Sequence, residues 1–349
     1  MKDERNYGID LLRLVLMYMV CILHTLGQGG ILEACELGTA EYRTFWLIEI
    51  LSYCAVDGFA IISGYTAVDK PRRFEKLADM WFQAFFYSFV VTVILTIAGL
   101  NPSWSVKSLI KRAMPVTFGT FWYFTAFFAL FFAIPVLNRF VFAVDERTAR
   151  IALIVMVVLF SCIELQTGVF KMDRGYSVFW LMVLYCMGAL AKRGRVFERK
   201  RTVTLAAMWM ACIFLTWYVQ GVRGSDRLTS YVSPTILANG FIMVVMFSRL
   251  KLKGTIISKL SPLAFGIYLF HLNPILWRNL RGSTAFAAHV GVLAGVAYVF
   301  GIAALTFTAG LTVEFIRSRL AKAMKIPELS RRMVGFTNRL LEKVSVVLN

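Results

Sequence analysis

Charged residues are scarce in this chain of 349 residues, since Asp, Glu, Lys and Arg together make up only 17% of it. A typical soluble domain carries about one quarter charged residues. Hydrophobic residues reach 58%, and the mean hydropathy is +0.67. So little charge excludes an ordinary soluble protein and predicts one that is largely embedded in a lipid bilayer.

Other features are missing as well. The six cysteines form no CxxC pair and lie mostly within apolar runs, so we expect neither a disulfide framework nor a metal site. There is no internal repeat, low-complexity stretch or second soluble domain. The first apolar run has no small-residue cleavage site after it, so we interpret it as a retained span and not a signal peptide.

Acidic residues are also few, and the formal net charge is +18. In a soluble protein this charge would suggest nucleic acid, but here the basic residues lie in short runs between apolar segments. No basic surface interleaved with aromatic residues is present. We therefore expect no nucleic-acid partner.

Ten apolar segments are long enough to cross about 30 Å of hydrocarbon as helices. They run over residues 8–27, 44–67, 78–99, 120–141, 148–166, 176–191, 202–220, 232–248, 258–277 and 288–316. We predict an all-α membrane bundle of about ten transmembrane helices in residues 1–320. The remaining residues, 321–349, form a basic tail that is either an amphipathic cytoplasmic helix at the membrane surface or a solvated segment.

The distribution of basic residues predicts the orientation. Most of the 38 Lys and Arg residues lie in the loops on the N-terminal side or at the span ends beside them, and Arg13 alone lies more than three residues inside a predicted span. Cytoplasmic loops carry such an excess of positive charge. We therefore predict a multi-pass protein of the cell membrane with both termini in the cytoplasm.

Two ionisable residues share one face of the first span. Arg13 and His24 are eleven residues apart, which returns to nearly the same side of a helix and separates them by about 16 Å along its axis. A charge within a span needs a partner, a water-filled cavity or a function. A long ligand could contact both residues, although Arg13 could equally extend to the inner headgroups and His24 could be a residue of the outer interface.

The second span contributes two carboxylates. By depth, Glu49 lies near His24 and Asp57 nearer Arg13, so Glu49 could orient or charge the imidazole and Asp57 could neutralise the guanidinium. Glu49 could instead face the outer headgroups, and Asp57 could have another partner. Ser63 is not expected to be a nucleophile, because it lies near the cytoplasmic end beside a glycine that favours close helix packing.

Further polar residues lie near the predicted outer face. His271 precedes Asn273 and Pro274 and could be a helix-end cap, whereas Tyr123 belongs either to an interfacial aromatic belt or to a site. By depth, His24, Glu49, Tyr123 and His271 could line an outward cavity. Arg13, Asp57 and the loop from Lys70 to Lys76 could line an inward one.

Several short motifs occur in a fixed order from about Asp10 to Leu320. They are Arg13 and His24 with ten residues between them, VDGFAIISGY from Val56, WYFTA from Trp122 leading to Pro135, Phe179-Trp180 with Tyr185 and Gly188, and GIYLFH ending at His271. In this order and spacing the chain resembles the acyltransferase 3 family, integral-membrane enzymes that acylate cell-surface glycans. It is most similar to the O-acetyltransferases of capsular polysaccharides and exopolysaccharides.

The resemblance implies an acyl group, acetyl in particular, that passes from cytoplasmic acyl-CoA to a hydroxyl of a surface polysaccharide or lipid-linked glycan. Acyl-CoA would be a substrate, with no permanently bound cofactor. Its phosphates would meet Arg13 and the basic loop, where the family's Arg-x-x-Arg is Arg73-Phe-Glu-Lys76, and Asp57 would belong to the same donor-binding site. Lys76 supplies charge without the bidentate geometry of arginine.

For the chemistry, His24 would be a general base or a transient carrier of the acyl group, and we favour the base. Tyr123, His271 or helix-terminal amides would stabilise the oxyanion. The main alternative is a multi-pass transporter or flippase for a glycan or small polar solute, although no inverted repeat supports it. A membrane sensor and a glycan polymerase are further alternatives.

Overall fold

The computed structural model describes residues 5–67, 73–101 and 104–348, and these residues form helices and loops with no β-strand among them. We number the principal helices in chain order: α1 Tyr7–Leu26, α2 Ala40–Thr66, α3 Phe74–Ile97, α4 Trp122–Phe142, α5 Glu146–Thr167, α6 Val178–Arg193, α7 Thr202–Val222, α8 Pro234–Ser248, α9 Ile256–His271, α10 Pro274–His289, α11 Val292–Ala323 and α12 Ile326–Leu348. The all-α prediction is confirmed.

Seven of these helices, within the described residues, are long and apolar enough to cross a membrane. An eighth span results if α9 and α10 are taken together, since they pass the same test as a pair bent by 67°. α6 and α8 are shorter, at 16 and 15 residues, and are largely buried among the other helices. The protein is thus multi-pass, and the count of ten spans stays a prediction.

α1 lies at the centre of the bundle. The side chain of Asn6 accepts a hydrogen bond from the backbone N–H of Ile9 and so caps the start of the helix. The helix is apolar on nearly every side, with Leu12, Leu16 and Leu26 fully buried, as expected for a helix surrounded by others. Arg13 and His24 are therefore held by a rigid element.

The second half of α2 packs against α6 at very short range. A methyl group at Gly64 would lie 1.9 Å from the carbonyl oxygen of Tyr185, and one at Gly188 would lie 2.3 Å from that of Ile61. Only glycine allows the two backbones to approach this closely. The glycine beside Ser63 thus has the packing role that the sequence predicted, and Ser63 itself donates to the carbonyl of Phe59.

The bend between α9 and α10 is fixed by one side chain. Asn273 is fully buried, and its Oδ1 accepts from the backbone N–H of Ile275 while its Nδ2 donates to the carbonyl of Tyr87. Pro274 begins α10 without needing a hydrogen-bonded N–H. Because Tyr87 lies in a π-helical turn of α3, Phe86–Val90, this contact ties the bend to a neighbouring span immediately after His271.

The C-terminal helix α12 packs on the beginning of α3, where the hydroxyl of Ser330 donates to the carboxylate of Asp79 over 2.5 Å. Its apolar and basic residues fall on opposite sides, consistent with an amphipathic helix. Its location at the membrane surface stays a prediction.

Candidate active site

Two histidines from different helices meet inside the bundle. Nδ1 of His24 on α1 lies 2.7 Å from Nε2 of His271 at the end of α9, and the two rings are 4.9 Å apart. The ring of Trp277 on α10 contacts His24 edge-on at 4.7 Å. The bend at Asn273 accounts for the contact of Trp277, because it returns α10 towards α1 directly after His271.

The hydrogen bonds of His271 assign the protons of the pair. Nδ1 of His271 is 2.6 Å from the carbonyl oxygen of Ile267, which can only accept, so this nitrogen carries a hydrogen. In a neutral His271 the other nitrogen, Nε2, is then an acceptor and receives the Nδ1–H of His24. Nε2 of His24 is left as the nitrogen with the free lone pair.

His24 lies where two cavities meet. The first, about 250 Å³, is the Arg13 cavity; Arg13, Met17, Val20 and His24 form one wall of it along a single face of α1. Most other lining side chains are apolar or aromatic, among them Val56, Phe59, Ile62, Met80, Phe124, Phe127 and Phe265. The predicted common face of Arg13 and His24 therefore borders one continuous, largely apolar space that leads from a cation to an imidazole.

The second cavity, about 510 Å³, is the Glu49 cavity, and it lies beyond His24 towards the C-terminal end of α1. It is more polar, since Glu49, Gln28 and Thr120 line it together with aromatic residues. Four residues border both cavities: His24, Trp122, Tyr176 and Tyr231. The imidazole and an aromatic wall thus separate a mainly apolar space from a polar one.

Arg13 is held by a carboxylate on its own helix. Its Nη1 donates to Oδ1 of Asp10 over 2.8 Å, and Oδ2 of Asp10 accepts from Arg5. The hydroxyl of Ser261, which also lines the Arg13 cavity, donates to Asp10 as well. One turn of spacing makes such a pair favourable on a helix, and it orients Arg13 while leaving part of its guanidinium exposed.

Asp57 has a different environment from the one expected. Its side chain is fully buried, and Oδ1 accepts from the indole N–H of Trp180 on α6 over 3.1 Å. The structure does not pair it with Arg13, because the turn at Cys54 within α2 rotates Asp57 towards α6 and α8. Its neighbours Val56 and Phe59 line the Arg13 cavity in its place.

Glu49 lines the Glu49 cavity with His24, but no hydrogen bond joins the two among the described residues. His271 occupies the Nδ1 position of His24 that a supporting carboxylate would need. Both nitrogens of His271 are engaged, which leaves it no free donor for an oxyanion. Tyr123 lines the Arg13 cavity beside Tyr268, their rings 6.3 Å apart, and so remains the better placed of the two predicted donors.

The basic loop is only partly described. Lys70 and Arg72 fall outside the described residues, whereas Arg73 and Lys76 are exposed at the start of α3. Lys76 and Met80 are four residues apart on one helix face, and Met80 lines the Arg13 cavity. Arg73 and Lys76 therefore lie outside that cavity, one turn or more from its wall.

Four residues of the site were not predicted from the sequence: Asp10, Tyr176, Tyr231 and Trp277. Asp10 could have been found from its spacing of three from Arg13. The other three lie outside the predicted motifs and reach the site through loops and the bend after His271. Burial raises the pKa of Tyr231 well above that of a free phenol, so its hydroxyl stays protonated.

The fold and the site define a multi-pass membrane protein with a histidine pair between two cavities inside its helix bundle. No group of three or more potential metal ligands occurs among the described residues. The family model of the acyltransferase 3 family, described as an acyltransferase domain, matches residues 6–313. The chain therefore belongs to the acyltransferase 3 family, and the resemblance seen in its motifs is confirmed. No curated protein and no solved structure matches it.

Proposed function

We propose that this membrane acyltransferase moves an acyl group, acetyl in particular, from cytoplasmic acyl-CoA to a hydroxyl of an extracytoplasmic or lipid-linked glycan. The observation that carries the proposal is the position of His24, which borders both cavities and has one nitrogen held by His271. A residue that must contact donor and acceptor at once needs this position.

The Arg13 cavity suits the donor. The guanidinium of Arg13 is a good partner for phosphate, and its distance from His24, about 16 Å along the helix, is close to the extended length of a phosphopantetheine arm. The apolar and aromatic walls between them fit that arm better than they fit a sugar. A thioester would then reach His24 while the nucleotide stays near Arg73 and Lys76.

His24 acts in this proposal as the general base. Its Nε2 takes the proton of the acceptor hydroxyl as that oxygen attacks the thioester carbonyl. The carbon–sulfur bond then breaks, and the CoA thiolate leaves and takes the proton back from the imidazolium. His271 holds the ring of His24 in the required tautomer, the role that a carboxylate has in a catalytic triad.

Purified protein with acetyl-CoA labelled in the acetyl group tests the proposal, read out as labelled sugar and released CoA. We expect His24→Ala to abolish both products. His289→Ala is the matched control, because His289 lines a third cavity with Cys35 and Glu36 away from His24. Equal loss in both variants, or full activity of His24→Ala, would contradict the proposal. Uptake of the sugar by proteoliposomes of the same protein without CoA release would favour a transporter.

A further inference from the structure

The Glu49 cavity has an unusual combination of charge and burial. Glu49 is only 7% exposed, yet its Oε2 has no hydrogen-bond partner among the described residues. A second polar atom of the same wall, the hydroxyl oxygen of Thr120, is also buried without a partner there. Buried polar atoms in native proteins are almost always hydrogen-bonded, so two such atoms in one cavity point to a ligand that supplies the missing bonds.

The rest of the wall identifies the kind of ligand. Tyr176 stands between Trp122 and Tyr231, at ring distances of 4.8 and 5.1 Å, and Tyr53 continues the row 4.9 Å from Tyr231. All four line the Glu49 cavity. The electron-rich faces of aromatic rings attract C–H bonds and cations, and a pyranose presents C–H bonds on its faces and hydroxyls at its edge.

The charge of the cavity restricts the ligand further. None of the described residues lining it is Lys or Arg. Arg174, two residues before Tyr176, is paired with Asp226 over 3.1 Å. In its ionised form Glu49 repels a second carboxylate and favours a hydroxyl or an ammonium group, since no cation lies beside it to offset the charge.

We infer that the Glu49 cavity is the acceptor site and that it takes a neutral or amino-bearing pyranose while it rejects a uronic acid. This inference rests on the proposed function, which it deepens by naming the acceptor class. Glu49 accepts hydrogen bonds from the ring's hydroxyl or ammonium groups, Thr120 contributes a second polar contact, and the aromatic row packs on the ring face. Glu49 thus has a role in binding and not the support of His24 that its depth suggested.

A parent sugar, methyl β-glucoside, and two probes that each differ from it in a single group, methyl β-glucosaminide and methyl β-glucuronide, test the inference. Their binding to the full-length protein is measured by equilibrium dialysis without any acyl donor, so the result does not depend on whether His24 is the base. We expect the glucoside and the glucosaminide to bind more tightly than the glucuronide, by about tenfold or more. Glu49 makes a charge-assisted contact with the first two sugars and repels the carboxylate of the third.

Variants of one helix give the controls. Glu49→Gln should weaken glucosaminide binding about tenfold and bring the glucuronide close to the glucoside, whereas Glu49→Asp, which keeps the charge, should retain the order. Glu41→Gln removes the same charge two turns earlier in α2, outside the Glu49 cavity, and should change nothing. The inference is overturned if none of the three sugars binds, if the glucuronide binds as well as the glucoside, or if Glu49→Gln and Glu41→Gln behave alike.

Discussion

The two cavities that meet at His24 differ in almost every property except the aromatic wall they share. The Arg13 cavity is the smaller and is mainly apolar, with its charge at the far end and paired to Asp10. The Glu49 cavity is about twice as large and carries a carboxylate oxygen without a partner among the described residues. An enzyme that transfers a group between two chemically different substrates needs this asymmetry, because each substrate must be excluded from the other's space.

The largest effect on the rate of acyl transfer is expected from a substitution of His24, where the two cavities join. Among the described residues, His24 is the only nitrogen base that borders both cavities. His24→Ala removes it, and general-base catalysis contributes about 100- to 10,000-fold to a rate. We expect kcat for acyl transfer to fall by that factor while binding of CoA and of the acceptor is retained. Isothermal titration with CoA checks the second part; a parallel loss of CoA affinity would show that the variant damaged the Arg13 cavity as well.

A smaller effect is expected from the partner of that base. His271→Ala removes the acceptor of the Nδ1–H of His24, so the imidazole is free to rotate and change tautomer. Loss of one such hydrogen bond corresponds to about a tenfold to hundredfold fall in kcat, with the KM for either substrate unchanged. His271→Gln, whose side-chain oxygen can still accept, should recover part of the rate. Equal rates for the alanine and glutamine variants would contradict the assigned orienting role.

Substitution of Arg13 should change the KM for the acyl donor and leave kcat unchanged. Arg13→Gln removes the charge, and we expect the KM for acetyl-CoA to rise about tenfold or more, with Arg13→Lys intermediate because lysine lacks the bidentate fork. Acceptor KM should not move, since Arg13 does not line the Glu49 cavity. A change in acceptor KM alone would reverse the assignment of donor and acceptor to the two cavities.

The smallest effect on catalysis and the clearest on stability is expected at the wall behind the Arg13 cavity. Gly188→Ala places a methyl group 2.3 Å from the carbonyl of Ile61 and forces α2 and α6 apart, at a cost of about 1–3 kcal/mol. We expect a lower thermal midpoint in detergent. Gly301→Ala, in α11 with open space around it, is the control and should leave the midpoint unchanged or raise it slightly.

Much of this arrangement is readable from the sequence. Helical geometry alone predicts that Arg13 and His24 share a face, because eleven residues are close to three whole turns. Each of the ten apolar segments predicted as a span is helical in the structure, with one bend inside residues 258–277. Close helix packing at Gly64 was indicated by the sequence, although the partner helix α6 was not. These features depend on neighbours in the chain or on one helix at a time.

The pairings between helices could not be predicted in the same way. Similar depth in the predicted spans correctly grouped His24 with His271. The same criterion grouped Asp57 with Arg13, whereas in the structure Asp57 accepts a hydrogen bond from Trp180. Two residues at equal depth come into contact only if the rotation of each helix about its axis turns them towards each other. The turn at Cys54 changes the direction in which later side chains of α2 point, and the 67° bend after His271 does so for α10. Asn273 fixes that bend through a carbonyl on α3, a contact between residues far apart in sequence.

Transfer across a membrane tests the account most directly. Proteoliposomes would hold acetyl-CoA inside and methyl β-glucoside outside, and acetylated sugar would be measured in the outer solution. The account predicts product outside the vesicles with the unaltered protein and with His289→Ala, and none with His24→Ala. Product that forms only when donor and sugar are on the same side would contradict it, because the proposed reaction carries the acyl group from one side of the membrane to the other.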